Sequence, residues 1–146
     1  MKFGHQLSHA NVLGSLLAQH LSQIERGSVD AILPVPLHKA RLRKRGFNQS
    51  LELARALRRQ NDIPLLKGVQ RSVNTKAQTL VKGEESRAAN IRNAFTVEEG
   101  TTLPKHVAII DDVITTGSTS NELARLLKSL GVEAVSVWAV ARATTQ

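Results

Sequence analysis

The segment from Val107 to Thr119, VAIIDDVITTGST, limits the folds open to this chain more than any other. The apolar, β-branched run from His106 to Ile110 reads as a strand buried on both faces of a parallel sheet. It ends in two adjacent carboxylates, Asp111 and Asp112. A hydroxyl-rich turn around one glycine follows: Thr115, Thr116, Gly117, Ser118 and Thr119. Then a helical pattern begins, with Leu123, Leu126, Leu127 and Leu130 recurring at three- and four-residue steps. Gly131 is the expected C-cap, and Val132 to Ala141 reads as the next strand. The segment is a βαβ unit, and open parallel sheets bind ligands at the carboxyl ends of their strands. Carboxylates at a strand tip accept hydrogen bonds from a sugar diol. Small residues at the following helix's start leave backbone N–H groups to surround a phosphate. A diol and a phosphate within one turn of each other suggest a ribose 5-phosphate.

Blander readings exist for each half: a solvated strand end for the acids, an ordinary capped loop for the hydroxyl turn. Their occurrence together, in order between strand and helix, favours the ligand site. Neither a G-x-x-x-x-G-K-[ST] phosphate loop nor a dinucleotide fingerprint occurs in the chain.

The rest of the sequence alternates strand and helix patterns. Leu7 to Ile24 reads as an amphipathic helix with Val12, Leu13, Leu16, Leu17, Leu21 and Ile24 on its apolar side. His5 and His9 are four apart there, but no third ligand is suitably spaced, so a polar surface is preferred to a metal site. Val29 to Val35 reads as the first core strand. The basic run Lys39, Arg41, Arg43, Lys44 and Arg45 follows, either a solvated loop or an anion site. Asn48 or Ser50 caps the next helix, which carries Leu51, Leu53, Ala54 and Leu57. Ile63 to Gln70 reads as a short strand, Val73 to Gly83 as a mobile loop, Ser86 to Asn93 as a short helix and Ala94 to Val97 as an edge strand. Alternation of this kind predicts an α/β fold: a mostly parallel twisted sheet with helices on both faces.

At 146 residues the chain suits a single domain, 1–146. Aromatic residues make up 3%, which leaves few stacking platforms for single-stranded nucleic acid. No segment is apolar for long enough to span a bilayer, and no signal peptide is visible, so the expected location is cytoplasmic. With no cysteine, disulfides, thiol nucleophiles and cysteine zinc sites are excluded. The net charge of +8 suits either a nucleic-acid surface or a cleft for an anionic substrate.

Ile109 to Thr119 resembles the phosphoribosyl pyrophosphate (PRPP) signature of type I phosphoribosyltransferases: two apolar residues, two acids, two variable residues, a hydroxyl, one variable residue and glycine. Ile32 to Gln49, with its PVPLH and RGFNQ strings, is similar to the competence protein F (ComF)/GntX branch of that superfamily. Arg71, Thr75, Gln78, Leu80, Arg87, Asn90 and Phe95 fall on a third pattern of that branch. Members usually begin with a four-cysteine zinc domain. This cysteine-free chain starts near the point where that domain hands over, so it is expected to be the transferase domain alone.

The resemblance implies transfer of phosphoribosyl from PRPP to an acceptor base that no residue identifies, with release of pyrophosphate. It implies that Asp111 and Asp112 hold the ribose hydroxyls, and that Thr115 to Thr119 cradle the 5′-phosphate, mostly through backbone N–H groups. Val35, Pro36, Leu37 and His38 would form the pyrophosphate loop, with Arg41 or Arg45 meeting the leaving group. His38 reads as an acid, a pyrophosphate ligand or, slightly preferred, a surface histidine. Arg71, Thr75, Lys76 and Gln78 fall in the flexible loop that closes over the site, where Arg71 and Lys76 are the candidates to meet pyrophosphate charge. Mg²⁺ would bind through PRPP oxygens and water rather than a protein cage. Type I relatives are often homodimers. Three function classes stay open: a phosphoribosyltransferase, a non-catalytic PRPP- or nucleotide-binding module, and an accessory of DNA uptake that binds single-stranded DNA or competence proteins. They differ in what the Arg41 to Arg45 cluster does.

Overall fold

Neighbouring apolar residues on the central strands point to opposite sides of a short parallel sheet, and this division sets the architecture. The computed structural model describes residues 8–9, 12–20, 29–72 and 94–143. After a helical segment at 12–20 come β1 (Ala31–Pro34), α1 (Lys39–Arg45), α2 (Gln49–Asn61), β2 (Val69–Arg71), β3 (Phe95–Val97), β4 (His106–Ile114), α3 (Ser118–Ser129) and β5 (Ala134–Arg142). The strands β1, β4 and β5 lie parallel in that order, with Leu33 opposite Ile109 and Ile109 opposite Val137. A single parallel bridge, Ile32 to Leu65, extends the sheet beyond β1.

One face carries Leu33, Val107 and Ile109, packed with Leu123 and Leu127 of α3. The opposite face carries Ile32 and Ile110, packed with Leu53, Ala54 and Leu57 of α2. Each of these side chains is essentially buried, and each Val, Leu or Ile among them contributes roughly 1.5–3 kcal/mol of burial free energy. The expected parallel sheet with helices on both faces is therefore what the chain forms. Helix α3 ends as anticipated around Gly131, although Leu130 is the cap itself. Gly131 follows at φ 103°, and the Val132 N–H returns to Leu127 O at 3.1 Å, closing a Schellman turn.

Four expectations change. The basic run is helical rather than a loop: α1 is built of Ala, Leu, Arg and Lys, all good helix formers, and Gly46 closes it at φ 85°. The predicted strand at 63–70 divides into the Leu65 bridge and β2, which pairs antiparallel with β3 in a separate two-stranded sheet. Strand β4 runs on through the acids to Ile114, because its pairing with β5 continues as far as Arg142. In the segment at 12–20, Val12, Leu13 and Leu16 are exposed, and Gly14 and Ala18 face inward instead. A Cβ at Gly14 would fall 2.5 Å from that of Ala56, so the two helices meet through small residues, and larger ones on that face would not fit. The predicted loop at 73–83 and helix at 86–93 lie outside the described residues.

Candidate functional site

Because β4 is the middle strand, the residues near its carboxyl end sit at the centre of that edge of the sheet. Asp111 and Asp112 are half-buried there. Each carboxylate accepts the next residue's backbone N–H: Asp112 N to Asp111 Oδ1 and Val113 N to Asp112 Oδ1, both at 2.9 Å. The Ser50 hydroxyl, buried in the first turn of α2, donates to the same Asp111 oxygen at 3.5 Å. Burial pushes the Asp111 carboxyl from its ordinary 3.8 up to about 7; the hydrogen bond and charge of Asp112 add to the shift, and the Asp112 amide and Ser50 oppose it.

The turn at 115–117 joins these acids to α3. Gly117 stands at the helix N-cap with φ 81°, and no side chain caps the helix there. Thr116 and Ser118 instead bond to each other through their hydroxyls at 2.8 Å. The Ser118 N–H donates to Thr116 Oγ1 at a long 3.4 Å, and Gly117, having no side chain, caps none of the N–H groups that follow, which suits an anion site at a helix terminus. Only φ makes glycine necessary here, since the nearest atom to an added Cβ would be Asn121 Nδ2 at 3.7 Å.

A polar cavity of about 160 Å³ gathers the functional groups. Asp111, Asp112 and Thr119 line one side. Val35, Leu37, Arg41 and Arg45 come from the β1–α1 connection and α1, and Arg71 from β2. Arg41 and Arg45, one helical turn apart, face the cavity together, whereas the exposed Lys39, Arg43 and Lys44 do not line it. The Arg71 guanidinium lies 5.4 Å from the centre of the Phe95 ring, its cross-strand partner. Burial, and then the charge of Arg41, lower its pKa, while Asp111 opposes them. The charge pattern is therefore directional: acids at the sheet edge, three arginines around them.

His38 does not line this cavity. Its Nδ1 accepts the Ala40 N–H at 3.1 Å, which makes it the N-cap of α1. Pro36, Thr115, Thr116, Gly117 and Ser118 likewise lie outside the lining; Thr115 to Gly117 form the turn, and Ser118 opens α3 next to Thr119. Thr75, Lys76 and Gln78 lie outside the described residues. Sequence reasoning did not assign Asn48, Gln49 and Ser50 to the site, yet all three line the cavity. Asn48 and Ser50 signalled only capping locally, and the contact of Ser50 with Asp111 spans 61 positions.

Gln49 and Asp112 also line a second, apolar cavity of about 380 Å³, walled by Leu13, Leu53, Val113 and Val140. Among the described residues no group of three His, Cys, Asp or Glu gathers, so an Mg²⁺ ion at the polar cavity would take its shell from ligand oxygens and water. No helix among the described residues is long and apolar enough to cross a membrane.

No family model matches the chain. Competence protein F of Haemophilus influenzae is 42% identical over 116 residues, covering 78% of this chain and 51% of that protein. The DNA utilization protein YhgH of Escherichia coli K12 is 37% identical over 153 residues, covering 97% of this chain and 64% of that protein. The chain thus spans between half and just under two thirds of the length of these relatives. Among solved structures, the PRPP amidotransferase of B. subtilis superposes with a TM-score of 0.60 at 22% identity, over 92% of this chain and 26% of that one. An adenine phosphoribosyltransferase gives 0.56 at 13% identity, over 90% and 68%. At these identities the structural likeness establishes the fold.

Proposed function

Since the chain belongs to the competence protein F family and has the type I phosphoribosyltransferase fold, we propose that it binds PRPP in the polar cavity and transfers the phosphoribosyl group to an acceptor. The observation that carries this reading is the convergence of the acid pair, Thr119 and three arginines on one cavity at the sheet's carboxyl edge. In the reaction, an acceptor lone pair forms a bond to the anomeric carbon as the bond from that carbon to pyrophosphate oxygen breaks. The acceptor then gives up its proton. Asp111 and Asp112 accept hydrogen bonds from the ribose hydroxyls, and the N–H groups of the Gly117 turn hold the 5′-phosphate. Arg41, Arg45 and Arg71 meet the negative charge that collects on departing pyrophosphate. Mg²⁺ bound with PRPP would supply further charge neutralisation. The apolar cavity adjoins this site through Gln49 and Asp112 and offers the acceptor a place next to the ribose.

Calorimetric titration of the chain with PRPP and Mg²⁺ tests the reading, with Asp111→Asn/Asp112→Asn as the comparison. Loss of both charged acceptors should weaken binding by about a hundredfold or more. Equal affinity in the double variant would sink it.

A second reading has its own observation. Lys39, Arg43 and Lys44 turn a cationic face of α1 away from the cavity. Such a face suits a nucleic-acid backbone, and two relatives are named for competence and DNA utilization. On this reading the chain is a non-catalytic ligand-binding accessory of DNA uptake. Single-stranded DNA binding with a steep salt dependence, lost on neutralising these three residues and indifferent to the acid pair, would favour it.

A further inference from the structure

We propose that Asn48 is a positioning residue, whose amide closes the ring of chain that aims Arg41 and Arg45 at the pyrophosphate end of the ligand. The inference rests on the PRPP reading above. It starts from what α1 lacks. The helix has seven residues and buries none of them. The side-chain ion pairs Glu52–Arg55 and Glu122–Arg125 lie on α2 and α3. A helix this short is unstable by itself, so its place must be set at its ends.

Both ends lead to Asn48. Upstream, Val35 is fixed through both backbone groups: its N–H donates to Ile110 O at 2.9 Å, and its carbonyl accepts from Asn48 Nδ2 at 3.1 Å. His38 then caps α1. Downstream, the Gly46 N–H closes on Leu42 O at 2.7 Å, and Phe47 alone separates Gly46 from Asn48. The Asn48 Oδ1 takes the N–H groups of Ser50 and Leu51, at 3.0 and 3.4 Å, and so caps α2, which the core anchors. One amide therefore joins the first turn of a core-packed helix to the residue that follows a buried strand. The intervening loop carries the two cavity-facing arginines. Its orientation is unambiguous, because only the oxygen can accept two backbone N–H groups and only the nitrogen can donate to a carbonyl.

The two jobs separate by mutation. Serine caps a helix about as well as asparagine, but its short hydroxyl, once engaged in capping, has no second group to reach Val35. Asn48→Ser should therefore keep the cap and lose the clamp. We would titrate wild type and Asn48→Ser with PRPP and with ribose 5-phosphate, and record their thermal midpoints. The expected result is PRPP affinity lowered about tenfold, the equivalent of one hydrogen bond, with ribose 5-phosphate affinity unchanged. The midpoint should move by less than about 3 °C. A role confined to folding would not split the two ligands, since both need the acid pair and the Gly117 turn. Equal weakening of both, or no weakening of either, overturns the inference while leaving the PRPP reading intact. A wild-type chain that binds no PRPP removes both.

Discussion

The two segments that meet across the polar cavity are held in place by different physics. The β4–α3 turn grows out of the core. Val107 to Ile110 are fully buried between β1 and β5, and α3 buries Leu123 and Leu127 immediately beyond the turn. The β1–α1 segment leaves the core at Val35 and carries a helix with no buried residue, held by His38, Gly46 and Asn48. On the proposed function, rigidity on one side would suit a sugar phosphate gripped the same way throughout, and a tethered arginine-bearing arm would suit a leaving group that moves. Packing fixes the first, hydrogen bonds the second, and each can be broken separately.

The largest contrast should come from truncating one apolar residue on each side. Ile109→Ala removes a fully buried side chain facing Leu123 and should cost about 2–5 kcal/mol in denaturant unfolding. Leu42→Ala, at a position 41% exposed on α1, should stay within about 0.5 kcal/mol. Similar losses at both sites would show that α1 is anchored by packing after all.

A smaller effect is expected at Gly117. Its φ of 81° strains any L side chain, although an added Cβ has room. Gly117→Ala should cost about 1–2 kcal/mol of stability and, because the turn must distort, weaken ribose 5-phosphate and PRPP alike. Selective weakening of PRPP here would mean the two segments are mechanically coupled, and the contrast between them would need redrawing.

The smallest effect concerns pH. Asp111 titrates near 7 in the folded chain and near 3.8 when exposed, so folding holds a proton that the unfolded chain releases between those values. Its contribution to stability therefore falls as pH rises through that window, and levels off above about 7. Asp111→Asn cannot ionise. It should match the wild type near pH 4 and exceed it at pH 8 by roughly 2–4 °C in thermal midpoint, about 1 kcal/mol, even as PRPP binding weakens. A variant less stable than wild type at pH 8 would show that the ionised carboxylate holds the site together.

Short-range chemistry was the legible part. The βαβ unit, the acids at the sheet's edge, the glycine at φ 81° and the Gly131 helix end are each set by residues within a few positions of one another, so period and turn chemistry disclose them. Asn48 was readable as a cap for the same reason. Its second bond, thirteen residues back to Val35, was not.

What the sequence alone determined is the β4–α3–β5 unit, the two-sided burial of the central strand and the identity of the acid–glycine turn, because hydrophobic period and backbone preference are local properties. Tertiary structure decided which faces are covered and which distant groups meet. Val12, Leu13 and Leu16 form the obvious apolar stripe of the first helix, yet Gly14 and Ala18 pack inward, because the neighbouring Ala56 admits only small residues. The same applies to Arg71 and Ser50, brought to Asp111 by strand pairing and by the entry of α2. A side chain's partner across the sheet depends on the surfaces that fold against it, and no local pattern carries that information.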